Sequence, residues 1–240
     1  MTGFSLKVYC RLPEFLKRRI NPLEFSVESF VRLARPDVSH SVVLDAGSGE
    51  ARFRKHFLEN LYLAFDSGIG DESWDYSNID ICGDLLDIPL VSNSVDVVIN
   101  TQVLEHVLNP KGVLREVYRV LKDGGHLYLT APQGWHEHQQ PHDFFRFTQF
   151  SLYSMLDSVG FREISIEPLG GYFHYLGQRL TYVPKVIFGE IQGITRAILL
   201  PLELVSLLSF CVVAPVVCYY LDRLDRKKEF TLCYKCLAVK

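Results

Sequence analysis

Three aspartates stand where short apolar runs give out. The run from Ser41 to Leu44 ends on Asp45 and passes into Gly47 and Gly49; Leu61 to Phe65 closes on Asp66; Ile79 to Cys82 is followed by Asp84. A carboxylate beside a glycine turn favours a cation and opposes a phosphate. A dinucleotide fingerprint needs a third glycine where helix and strand pack closely, and Arg52 occupies that position. Asp45 and Arg52 together disfavour a nicotinamide oxidoreductase. Asp66 follows the loop at about the 20-residue separation of an acid that grips ribose hydroxyls. Singly, each aspartate reads as a turn or cap residue. As a set they suit a ligand with a cationic amino-acid end, a ribose and no phosphate. A second cluster, His136, His138, His142 and Asp143, lies within one short stretch that also holds Arg146.

Strands and helices must alternate to present these residues together. Apolar, β-branched runs predict strands at 41–45, 61–65, 79–82, 95–100, 126–130, 162–167 and 231–239. Helical spacing predicts helices over 14–35, broken at Asn21-Pro22, and over 52–60. Asn109-Pro110 opens another by its capping signature, with Val113, Leu114, Val117, Val120 and Leu121 as the buried face and Gly124-Gly125 as the stop. Thr148 caps a further one, with Phe147 and Leu152 placed as a hydrophobic staple. Such alternation implies a parallel sheet covered on both faces. Ligands of these sheets sit at the carboxyl ends of the strands, so Gly47, Asp66, Asp84, Asn100 and the stretch after Ala131 should line one rim.

The 240 residues suffice for one good core with an elaboration. A net charge of −3 gives no electrostatic case for nucleic acid. Six cysteines are irregularly spaced; Cys233 and Cys236 form a CxxC with no second pair to complete a zinc site, as expected of reduced thiols in the cytoplasm. Lys7, Arg11 and Pro13 interrupt any signal-peptide core.

VVLDAGSGE, FDS, GDLLDIP, SVDVVINTQVLEHV and VLREVYRVLKDGGHLYLTAP, spread over residues 41–168, resemble the class I S-adenosylmethionine-dependent methyltransferases of the type 11 domain group. The resemblance implies a Rossmann-like α/β fold with a seven-stranded sheet, its last strand antiparallel, and S-adenosyl-L-methionine as cofactor. It places Asp45, Gly47 and Gly49 at the methionine end, Asp66 at the ribose, Asp84 and Leu85 at the adenine, and Asn100 and Thr101 beside the sulfonium. The family often has a further glycine near Ala51; alanine is small, and binding should survive. HEHQQPHDFFRFT resembles a subgroup associated with cell-surface saccharide biosynthesis, an analogy rather than a derivation.

The histidine loop follows strand five and should hang over the rim. His136, His138 and His142 are expected to supply a general base if the acceptor is a hydroxyl, since imidazole titrates near neutral pH. Convergence of all three on a metal is demanding geometry, and no metal is expected. The structural alternative is a polar brace of His142, Asp143 and Arg146. Glu105-His106 is a further candidate base, with packing as the blander role.

About sixty residues separate strands six and seven, where the fold normally needs a tight connection. The expected organisation is an N-terminal helical segment over 1–40, a core over 41–169 and 230–240, and a largely helical apolar insertion over 170–229. Ala197 to Leu221 has the length of one membrane span. A single crossing would strand the last β-strand on the wrong side, Glu203 is costly in hydrocarbon, and Pro201 and Pro215 should bend the run. A re-entrant or interfacial hairpin is expected, with 183–221 in peripheral contact at the cytoplasmic membrane face; the alternatives are a lid or a dimer interface. The function expected is methyl transfer to a lipid-linked or cell-surface saccharide hydroxyl. Methylation of a quinone, an isoprenoid or another small molecule is the enzymatic alternative, and a silent, membrane-associated S-adenosylmethionine-binding module is the non-enzymatic one.

Overall fold

The computed structural model describes residues 9, 11–36, 38–70 and 73–240; the remainder of the expected N-terminal segment lies outside the described residues. The chain divides into two compact units, Met1–Ser26 with Leu169–Leu232, and Val27–Pro168 with Cys233–Lys240. The expected organisation set a separate segment over 1–40, whereas the division falls at Ser26.

The larger unit is built on strands β1 (Val42–Ala46), β2 (Leu61–Asp66), β3 (Ile81–Cys82), β4 (Val95–Thr101), β5 (Leu121–Pro132), β6 (Arg162–Leu169) and β7 (Cys233–Val239). They form one sheet in the order β3-β2-β1-β4-β5-β7-β6. β1 to β5 pair in parallel and β7 runs antiparallel to β5. The central strands are buried on both faces, which is why Val43, Leu44, Val98, Ile99, Leu127 and Leu129 read as unbroken apolar runs. The registers Ala46 with Phe65, Asp66 with Cys82, and Thr101 with Thr130 bring the carboxyl ends onto one rim. β7 begins at that same rim, with Cys233 opposite Pro132. Cys233 and Cys236, three apart on a strand, face opposite sides of the sheet.

Helices α1 (Glu14–Ile20) and α2 (Pro22–Arg32) replace the expected 14–35 run, broken at Asn21. α3 (Pro110–Val120) starts as its sequence dictates: the Asn109 side chain accepts from Gly112 N, and Val113, Leu114, Val117 and Val120 are buried. It does not reach Gly124. Leu121 turns extended and pairs with Val95, so the glycines fall within β5, where Gly124 (φ 79°) makes the kink before His126 pairs with Val97. α4 (Gln149–Val159) has the Thr148–Ser151 capping box, and Phe147 and Leu152 both join the core. The expected helix over 52–60 is only a single 3-10 turn, Arg54–His56. Phe53 and Phe57 are buried as an amphipathic pattern requires, but Arg54 is drawn sideways to the carbonyls of Tyr62 and Asn78 and to Asp80.

The smaller unit is helical: α1, α5 (Tyr172–Leu180), α6 (Val183–Phe188), α7 (Gly193–Leu208), a π-turn (Ser209–Val213) and α8 (Ala214–Leu221). From Gly193 to Leu224 the helix is continuous, 32 residues long, or about 48 Å at 1.5 Å per residue. Pro201 and Pro215 therefore do not fold the apolar run on itself; Pro215 sits just past the π-turn, where the hydrogen-bond ladder is already rearranged. The hairpin is formed instead at 189–192, with α5 and α6 returning along the long helix. Asp222 ties its open end by accepting from Gly171 N and His174 N. Gly177 lets the helices approach: a Cβ there would lie 2.9 Å from Cys218 Cβ. α1 joins through Arg19, which donates to the Tyr220 hydroxyl at 2.7 Å.

Candidate active site at the sheet rim

β1 ends in a loop whose conformation only small residues permit. Gly47 has φ 88°, and a Cβ on it would meet Val103 Cγ2 at 2.4 Å. Its N–H and that of Ser48 donate to the carbonyl of Phe65, tying the loop to β2. Gly49 (φ 52°) donates to Asp66 Oδ2 at 2.8 Å. Ala51 has φ 55°, a left-handed conformation that alanine adopts at some cost.

Asp45 is buried, takes a hydrogen bond from the Tyr62 hydroxyl on Oδ2, and has no partner for Oδ1 among the described residues. Burial pushes its carboxyl up to about 7, against the opposing pull of Tyr62 and Arg52. Asp66 accepts from Gly49 N and Gly68 N, one on each oxygen. Asp84 is exposed and turns the chain by accepting from Leu86 N at 2.9 Å, while Leu85 is buried. Asn100 is buried; its Nδ2 donates to Ala46 O at 2.7 Å and its Oδ1 is unpartnered among the described residues. Thr101 closes β4, half-buried, opposite Thr130. The structure thus gathers Asp45, Gly47, Gly49, Asp66 and Asn100 at the β1–β2–β4 rim.

Two residues that sequence reasoning passed over belong to this rim. Trp74 lies over the glycine loop, its ring 3.1 Å from where a Gly49 Cβ would stand; an aromatic residue in the polar stretch after strand two was the available signal. Gln102 (φ 56°) donates from Nε2 to Thr130 Oγ1 and Cys233 Sγ, bridging β5 and β7. No local pattern announces a contact between residues so far apart.

The histidine loop sets the His136 and His138 rings 6.0 Å apart, and of its histidines only His138 converges with Glu105 and His106. His136 and His142 are exposed, and His138 is half-buried. Asp143 and Arg146 make a two-pronged ion pair at 2.7 Å, and Arg146 also donates to the carbonyls of Trp135 and His136. This is the expected brace for Asp143 and Arg146, whereas the His142 backbone carbonyl faces His106 Nδ1 at 2.5 Å. The guanidinium holds the Asp143 carboxyl far below its ordinary range. The loop docks by donating Phe144 N to Glu105 O at 2.8 Å. Glu105 itself is wholly buried in the 3-10 turn Leu104–His106, and desolvation raises its carboxyl to about 8. His138, not the full set of loop histidines, converges with Glu105 and His106.

Residues 44–129 match the family model described as a methyltransferase domain. A Mycolicibacterium smegmatis protein described as a probable S-adenosylmethionine-dependent methyltransferase is 32% identical over 109 residues, 42% of this chain and 41% of that protein. This chain therefore spans less than half the length of that curated relative. Among solved structures, an S-adenosylmethionine-dependent methyltransferase from Archaeoglobus fulgidus superposes with a TM-score of 0.57 at 15% identity, over 94% of this chain and 99% of that one. Phosphoethanolamine N-methyltransferase 2 of Haemonchus contortus, solved with phosphomonomethylethanolamine and S-adenosylhomocysteine, gives 0.54 at 14% identity, over 90% of this chain and 52% of that one. At such identities these two structures speak for the fold. Residues 44–129 thus match a methyltransferase-domain model, within a fold similar to that of solved S-adenosylmethionine-dependent methyltransferases.

Proposed function

We propose that the chain binds S-adenosylmethionine and transfers its methyl group to an acceptor held at a membrane, a hydroxyl of a lipid-linked or cell-surface saccharide. The observation that carries the cofactor assignment is the buried, unpartnered Asp45 Oδ1 beside a loop with no room for a Cβ at Gly47. An orphaned buried acceptor is costly unless a donor arrives to meet it, and the cofactor's ammonium is such a donor. Asp45, Gly47 and Gly49 would hold the methionine end, Asp66 the ribose, Asp84 and Leu85 the adenine, with Asn100 and Thr101 bordering the sulfonium. The bound cofactor supplies an activated methyl group. The chain's own task is to hold the acceptor close and aligned, exclude water and accept the hydroxyl proton, for which the loop carrying His136, His138 and His142 is the source.

The helical unit supports the membrane part of the reading. Only 6% of the most apolar window of the long helix is buried. Ile194, Ile198, Leu202 and Val205 are exposed at helical spacing along one face. Glu203, whose charge opposes insertion, is paired with Arg196 at 3.0 Å, which lowers that cost. At the open end of the hairpin Arg19 lies over the rings of Tyr219 and Tyr220, and Arg223 over Tyr220. Aromatic and basic residues mixed in this way suit the headgroup layer, and Arg226, Lys227 and Lys228 add attraction to an anionic cytoplasmic leaflet. A hairpin that enters and returns leaves both ends on one side, so the protein is peripheral at the cytoplasmic face.

The test has two arms. Calorimetry with S-adenosylmethionine and NAD should give binding to the first alone; binding to NAD alone refutes the cofactor assignment. Incubation with radiolabelled methyl donor and separated polar and lipid extracts should label a lipid-extractable saccharide. Label confined to water-soluble products refutes the membrane-held acceptor, and label in quinone fractions selects the isoprenoid alternative.

A further inference from the structure

We propose that Glu105, His106 and His138 form a binding site for one divalent transition-metal ion, with zinc the best match to the ligand types. One ligand atom from each of the three lies within 4.8 Å of the others. Glu105 has no exposed surface, and neither of its carboxylate oxygens has a hydrogen-bond partner among the described residues; nor has His106 Nε2. Buried polar atoms are left unpartnered only rarely, and here three of them belong to two residues of this cluster. His106 Nε2 stands 3.9 Å from Glu105 Oε1, and the two imidazoles meet edge-on with centroids 4.7 Å apart.

The outer contacts have the pattern of a metal centre. A ligating histidine usually has its second ring nitrogen held by a carbonyl or carboxylate, which sets the tautomer and aims the first. His106 Nδ1 faces the carbonyl of His142 at 2.5 Å. His138 Nδ1 lies 3.1 Å from His136 O and 3.3 Å from Asp143 Oδ2, leaving Nε2 as its remaining nitrogen. Asp143 is itself fixed by Arg146. Two imidazoles and one carboxylate are a common set for zinc and its neighbours, with positions left open for water or an oxygen ligand. The brace around Asp143 then has a purpose beyond stiffening the loop, and His138 is withdrawn from the role of general base, leaving His136 and His142 to it.

The site can be tested without the methyl-transfer reaction, so its failure and that of the methyltransferase reading are distinguishable. Tag-free full-length protein is stripped with a chelator, equilibrated with Zn²⁺ or Co²⁺, and freed of excess metal by gel filtration. The expected result is one equivalent per chain by elemental analysis, a visible Co²⁺ spectrum of low coordination number, and a higher melting temperature with Zn²⁺. Glu105→Gln and His138→Ala, checked for folding by circular dichroism, should each lose the equivalent. Wild-type protein that retains no metal overturns the proposal. So does retention of the full equivalent by a folded Glu105→Gln variant, or a thiolate-to-cobalt charge-transfer band in the wild type, which would place the ion on cysteine. The wild-type spectrum decides the matter even if both variants fail to fold.

Discussion

The rim of the sheet and the outer face of the long helix leave different kinds of group unsatisfied. At the rim of the sheet the groups unpartnered among the described residues are polar and buried: Asp45 Oδ1, Ser48 Oγ, Asn100 Oδ1 and both oxygens of Glu105. On the outer face of the hairpin they are apolar and exposed, Val186, Ile194, Ile198, Val205 and Leu208 among others, although its interior also holds His174 Nε2 and Ser206 Oγ without a hydrogen-bond partner among the described residues. A buried polar atom without a partner and an exposed apolar face are each unfavourable in water, and each specifies what would relieve it. The rim calls for a compact ligand rich in hydrogen-bond donors and positive charge. The hairpin calls for a low-dielectric surface. Neither unit's deficit would be met by the other's ligand, so the two can be tested one at a time.

The largest expected effect lies at the rim. If the acceptor is a hydroxyl, the double substitution His136→Asn with His142→Asn should lower turnover by about 10²–10⁴, as for loss of a general base, while cofactor affinity by calorimetry stays unchanged. Wild-type turnover would leave the loop a purely structural element. The next effect belongs to the hairpin. Ile198→Asp and Val205→Asp alter exposed side chains and should leave the melting temperature in solution unaltered. Each removes about 1.5–3 kcal/mol of apolar transfer, so vesicle partitioning should fall by roughly 10–100-fold per substitution in sedimentation assays. If the wild type never sediments with vesicles, the face is covered by a lid or a second subunit instead. A comparable or smaller loss is expected from Asp66→Ala, about 1.5–3 kcal/mol in S-adenosylmethionine affinity as for hydrogen bonds to a charged group. Undiminished affinity would remove Asp66 from the ribose site.

The two units were not equally legible in the sequence. The strands were, because β-branched runs buried on both faces end abruptly at Gly47, Asp66 and Asp84, and burial and turn chemistry are local properties. The α3 start was legible for the same reason, through Asn109 and Pro110. Its end was not: Leu121 pairs with Val95, and strand pairing across the chain overrode the glycine stop signal. The segment after the glycine loop misled because Phe53 and Phe57 carry helical spacing, while Arg54 reaches residues that local pattern does not foresee. In the hairpin, apolar character was plain, but the turn was expected within the apolar run and lies before it, at 189–192, because the helix continues through Pro201 and Pro215. Non-local convergence was the least legible. Glu105 and His138 are more than thirty residues apart, and nothing in either motif names the other.

The smallest expected effect is the most particular to this rim. Desolvation first, and proximity to Asp66 as well, raise Asp45 to about 7, while Tyr62, Arg52 and Arg54 pull the other way. The folded protein therefore holds a proton on Asp45 between about pH 4 and 7 that the unfolded chain has released. Its contribution to stability is greatest below the unfolded value, declines as pH rises through that window and is flat above it. Cofactor affinity should move in the opposite direction, because an ammonium group is attracted to the ionised carboxylate. With a midpoint of about 7, roughly a tenth of the molecules carry the charge at pH 6 and nine tenths at pH 8, so affinity should rise about tenfold across that interval. Asp45→Asn should bind more weakly and show no such rise, and Asp66→Ala should keep the slope while lowering the whole curve. Calorimetric titrations of S-adenosylmethionine at pH 6, 7 and 8 would show this. A flat wild-type profile would mean that Asp45 does not meet the cofactor's ammonium, and that its unpartnered oxygen serves the loop alone.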